Sequence, residues 1–234
     1  MGKKREQQEA RKAKAISARS RRRFMFGVGA SALVGLVGYG LFAALNGPPL
    51  PSATVGFDPA ARMYETDIVH GDAKAPVTVV EYASLTCIHC ARFHNEALPA
   101  FLKGWVDTGK VRLIYRHFPF DGDALAAAGV VSCLPEASRP AAVAALMRHR
   151  DRWIGTGKPA EQGLDLLTIE RRDLTKAKQC IAEGRMGSKV VEAVNEARQA
   201  GVSSTPSFIV AGKLYAGFMS AEALGAIVDE AVAR

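Results

Sequence analysis

Residues Val77-Thr78-Val79-Val80-Glu81-Tyr82 form a β-branched, almost unbroken apolar run, the pattern of a strand covered on both faces of a sheet. Beyond Ser84 the period changes: Phe93, Ala97, Phe101 and Trp105 recur at every fourth position and predict a helix with one buried face. Ser84 and Thr86 are placed to cap its start, Pro99 predicts a kink within it, and Gly109 predicts its end. Val111-Arg112-Leu113-Ile114-Tyr115 begins a second strand, and residues 63–69, ahead of a turn at 70–76, read as an edge strand. From Asp123 to about Gly201 the pattern is helical, in runs through Cys133 and then over 139–152, 174–184 and 190–200. Ser207–Val210, the turn Ala211-Gly212 and residues 213–215 spell a short hairpin, and Leu224, Ile227, Val228 and Val232 stripe a last helix. This order predicts an α/β fold: one domain over 62–234 with a mixed sheet, helices on its faces, and a helical insertion at about 122–201.

Charge changes the picture at the other end. The 234-residue chain carries a net charge of +8, which alone would prompt a search for a nucleic-acid face. Residues 1–23 hold ten Lys/Arg against Glu6 and Glu9 and so carry all of it, while the rest balances 21 basic against 21 acidic side chains. No nucleic-acid partner is expected. The apolar stretch 24–45, FMFGVGASALVGLVGYGLFAAL, has 22 residues, enough to cross about 30 Å of hydrocarbon as a helix. Basic residues before it and none after predict a membrane anchor or export signal with the body outside the cytoplasm. Ser20-Arg21-Arg22-Arg23-Phe24-Met25 resembles the twin-arginine export pattern, with ordinary secretory insertion as the alternative. Only Gly38-Tyr39-Gly40 and Pro51-Ser52-Ala53 offer weak cleavage sites, so a retained anchor is expected. Residues 46–61 then read as a semi-rigid, proline-containing linker.

The chemistry concentrates in Cys87-Ile88-His89-Cys90. Cysteines three apart on a helix share one face, and Cys87 falls where the first-turn N–H groups are unpaired and the helix end is positive. The His89 ring could donate to the Cys87 sulfur or, when protonated, pair with it. Such influences bring a cysteine from about 8.5 to between about 3.5 and 7.5. A stabilised, ionised dithiol makes the disulfide a better oxidant. Zinc is the rival reading, with Cys87, Cys90 and His94 on one helical face and no second close Cys/His pair to complete four ligands. A purely structural disulfide is a third reading; redox cycling suits a strand-to-helix junction in an exported chain best.

At these residues the sequence resembles the thioredoxin-fold proteins of the DsbA-like branch. The resemblance runs over about 63–233 and rests on VVEYASLTCIHC, on the helical insertion, and on Ser204-Thr205-Pro206 before Ser207-Phe208-Ile209. It implies a thiol-disulfide oxidoreductase of the bacterial cell envelope, with Cys87 as exposed nucleophile and Cys90 as its partner. It also implies that Glu81 is the buried acid that moves the proton of the inner cysteine, although a solvated sheet edge is the bland alternative. Thr205-Pro206 resembles the family's cis-proline loop, whose backbone pairs with extended substrate. The strong oxidants of this branch carry proline where Ile88 stands and valine where Thr205 stands. Some members carry an extra disulfide in the insertion, and Cys133 and Cys180 are placed to form one if their helices are antiparallel neighbours.

The expectation is therefore a periplasmic-side oxidoreductase, tethered to the inner membrane through 24–45 or exported. It would exchange the Cys87-Cys90 disulfide with exported unfolded or folding proteins, mainly as a dithiol oxidase, and be recycled by a membrane redox partner. No cofactor or metal is expected. An envelope reductase or isomerase, and a metal-binding assembly factor, are the alternatives.

Overall fold

The computed structural model describes residues 49–233 except 57 and 168–170. The expected basic segment 1–23, the apolar segment 24–45 and the start of the linker lie outside the described residues. No described helix is long and apolar enough to cross a membrane. Among the described residues, six strands form one sheet: β1 (Ala53–Thr54), β2 (Ile68–His70), β3 (Val77–Ala83), β4 (Val111–His117), β5 (Ser207–Val210) and β6 (Lys213–Ala216), in the order β1-β6-β5-β3-β4-β2. β3 runs parallel to β4 and antiparallel to β5, so the strand read as doubly covered is central. Its alternation assigns its faces. Val77 and Val79 pack with Phe93, Phe101, Phe208 and Leu224, whereas Val80 and Tyr82 pack with Ile114, Val190 and Val194.

Helix α1 (Ile88–Arg92) follows β3, and a π-wound segment, Phe93–Ala97, carries it into α2 (Leu98–Phe101) and a second π-wound segment, Leu102–Val106. The kink expected at Pro99 is replaced by this change of winding, which leaves proline in the first turn of α2, where a missing N–H breaks no helical bond. Between β4 and β5 lie α3 (Gly122–Ser132), α4 (Arg139–Arg148), α5 (Pro159–Asp165), α6 (Arg171–Glu183) and α7 (Arg185–Gln199), with α8 (Ala221–Val232) after the hairpin. The hairpin turns through positive φ at Ala211 (47°) and Gly212 (72°), the geometry of a two-residue turn matched to strand twist.

Two expectations need correction. The edge strand is confined to Ile68–His70, because Tyr64 to Asp67 closes a turn in which the Asp67 carboxylate accepts from Tyr64 N at 2.9 Å. Ala53 to Val55 and Pro59, within the segment 46–61 expected as a linker, are held on the sheet. Ala53 and Thr54 pair with β6, Val55 is buried, and the Pro59 carbonyl accepts from buried Arg116 at 3.0 Å. That guanidinium also pairs with Asp67 at 2.7 Å, so backbone and charge together hold this segment on the sheet.

Candidate active site

The loop from Ser84 to Thr86 is held by polar contacts that leave Cys87 at the helix start. Ser84 Oγ and Thr86 Oγ1 lie 3.0 Å apart, Thr86 Oγ1 donates to Asp121 Oδ2 at 2.7 Å, and the Arg150 guanidinium donates to the Thr86 carbonyl. Asp121 at the same time caps α3 by accepting from Ala124 N at 2.7 Å. Neither Ser84 nor Thr86 caps α1: Cys87 is the N-cap residue, with extended φ and ψ. Cys87 is half-buried, Ile88 and His89 are exposed, and Cys90 is fully buried against Ala83, Leu85 and Tyr115; both thiols are free.

This arrangement splits the two sulfurs. The Cys87 thiol is pulled down to about 5, first by the Cys90 side chain donating to it, then by the Thr205 side chain and the backbone N–H groups of Cys90 and His89, all against the cost of burial. Cys90 is pushed well above its ordinary value by burial, by holding its proton toward Cys87, and by the charge of Glu81. His89 contributes its backbone N–H to this set, and the residue itself is exposed. The Thr205–Pro206 peptide is cis, and the Thr205 carbonyl accepts from Cys87 Sγ at 3.4 Å. Thr205 Oγ1 is buried with no hydrogen-bond partner among the described residues, and the Thr205 side chain is among the groups that lower the Cys87 thiol.

Glu81 lies on central β3 and is fully buried, which rules out a solvated edge. Its carboxylate oxygens lie 3.0 and 3.2 Å from His94 Nε2, and the His94 side chain is 5% exposed. Cys133 and Cys180 form a disulfide that joins α3 to α6, with Cα atoms 5.7 Å apart.

The thioredoxin family pattern matches residues 63–230. The chain belongs to this family. Within it the chain is DsbA-like: Wolbachia pipientis α-DsbA1 is 25% identical, with a TM-score of 0.62 over 80% of this chain and 94% of that one. Bacillus subtilis BdbD in its oxidised form, 19% identical, shares the fold with a TM-score of 0.62 over 73% of this chain and 95% of its own. A Rickettsia conorii relative that carries the name protein-disulfide oxidoreductase is 28% identical over 73% of this chain, which spans 62% of that relative's length.

In this thioredoxin-family chain the structure brings Cys87, Cys90, Thr205 and Pro206 together at one end of the sheet and sets Glu81 beneath them. Sequence reading named His94 only as a possible zinc ligand and passed over Asp121 and Arg150. His94 stands four residues after Cys90, a helical spacing that puts both over β3. Asp121, three residues before Ala124, carried a legible capping signal; Arg150 carried none.

Proposed function

We propose that the chain is an extracytoplasmic thiol-disulfide oxidoreductase that works as a dithiol oxidase on exported proteins and is re-oxidised by a membrane partner. The observation that carries this reading is the split between an accessible sulfur held as thiolate and a buried sulfur held as thiol, beside a cis-proline loop. A substrate thiolate attacks Cys87 of the disulfide, and a substrate–Cys87 bond forms as the Cys87–Cys90 bond breaks. The electron pair goes to Cys90, which takes a proton. A second substrate thiolate then attacks the substrate sulfur and releases Cys87 as a stabilised thiolate, leaving the substrate with a disulfide. Because the leaving sulfur is the one the fold stabilises, the reaction favours oxidation of substrate. The apolar segment 24–45 after a basic run, and a disulfide between Cys133 and Cys180, support the location. The residues at 88 and 205 give this site its own loop: exposed Ile88 presents an apolar side chain to incoming polypeptide.

Equilibration with glutathione tests the reading. The account predicts a Cys87–Cys90 couple more oxidising than glutathione and a mostly oxidised pair trapped from cells. A mostly reduced pair in cells would reverse the direction, and stoichiometric metal released by Cys90→Ala would replace the reading with metal handling.

A further inference from the structure

The proton taken up by Cys90 must come from somewhere, because the sulfur is buried and water does not reach it. Beneath it the sheet carries a row of titratable groups on one face. Strand register places Glu81 beside Tyr115 and Tyr115 beside Ile68, so β3, β4 and edge strand β2 present Glu81, Tyr115 and His70 toward the same helix. That helix contributes Cys90 and, four residues on, His94, whose Nε2 meets both oxygens of Glu81. The His94 ring also stands edge-on to Tyr115, with ring centres 5.4 Å apart. His70 lies on the edge strand, only partly buried; its pKa is lowered first by burial and then by His94, with Glu81 acting the other way.

Resting on the oxidoreductase reading, we infer that His94 is a positioning residue for proton transfer at Cys90: it holds the proton on Glu81 that the Cys90 sulfur takes when the disulfide opens, and recharges it through His70 at the sheet edge. The other groups that face the pair do not compete for this role. The phenol of Tyr115 is pushed well above its ordinary value by burial and by Glu81 and Cys90, so it keeps its proton. His117, whose Nδ1 is 3.3 Å from the Tyr115 hydroxyl, is driven by burial and by Arg139 down to about 3 and stays neutral. Cys87 faces the solvent side of the same helix start and is the sulfur that substrate attacks. In the step itself the Cys87–Cys90 bond breaks, a substrate–Cys87 bond forms, the electron pair moves to Cys90 Sγ, and one proton passes from the Glu81–His94 pair to that sulfur. The pair regains its proton from solvent through His70. In reverse, the pair accepts the Cys90 proton as Cys90 attacks the mixed disulfide.

The test uses the full chain with its Cys87 joined to glutathione as a mixed disulfide, and follows the release of glutathione by Cys90 from pH 5 to 9. His94→Gln keeps a hydrogen-bond partner for Glu81 and removes the imidazole ring. The expected result is a release about 100-fold slower, the lower end of general acid–base contributions, with the pH break of the wild type lost and the alkylation profile of Cys87 unchanged. His70→Gln, at a partly exposed edge where folding tolerates change, is expected to flatten the same profile by a smaller factor. A wild-type pH profile in His94→Gln, or in His70→Gln where His94→Gln does not fold, overturns the inference. A wild-type protein that forms no mixed disulfide with glutathione overturns the oxidoreductase reading instead.

Discussion

Cys87 and Cys90 stand three positions apart at one helix start, whereas Cys133 and Cys180 are separated by 47 positions and join two helices. The sulfurs of the first pair differ in every physical respect: one half-buried and surrounded by donors, the other fully buried beside a carboxylate. Cys133 and Cys180 are both partly buried and bonded to each other. The difference teaches that reactivity comes from asymmetry between two sulfurs, while stabilisation comes from the length of chain a bond closes.

The largest effect that sharpens this contrast is loss of exchange. Cys87→Ser is expected to bring the reaction with glutathione or a dithiol peptide to its uncatalysed rate in stopped-flow, while Cys133→Ala/Cys180→Ala retains it. The second pair acts on stability instead. Its double replacement is expected to lower the unfolding free energy by about 2 to 4 kcal/mol, measured by urea denaturation, and an unchanged midpoint would show that the bridge closes no costly loop.

A third effect follows from pH and belongs to the first pair alone. The folded-state value of Cys87 lies below its unfolded one, so its thiolate stabilises the reduced protein fully above about pH 8.5 and this contribution is lost as pH falls through about 5. The oxidised protein has no such group at position 87. Urea midpoints of the reduced form are therefore expected to fall relative to those of the oxidised form between pH 8.5 and 5; parallel curves would contradict the thiolate. The smallest effect is at the loop. Thr205→Val removes the hydroxyl from a side chain that lowers the Cys87 thiol, and Cys87 alkylation at pH 6 is expected to slow while the fold is kept.

The sequence carried the frame of this site because each part rested on a local signal. A doubly covered strand, a change from period two to period four, and two cysteines at the junction mark Val77 to Cys90 without any knowledge of tertiary contacts. The hairpin turn and its strands were legible for the same reason. What escaped depends on segments distant in sequence meeting in space. The Glu81–His94 pair spans 13 positions and needs β3 to lie under the helix. Arg150 reaches Thr86 across 64 positions, and two-residue β1 is too short to show a period of its own. The change to π winding before Pro99 had no pattern to announce it, since the apolar positions keep the same face.

The most direct measurement is the rate of Cys87 alkylation by iodoacetamide against pH in the reduced protein. The account predicts a rate that reaches half its maximum near pH 5. A midpoint near about 8.5, that of free cysteine, would contradict it.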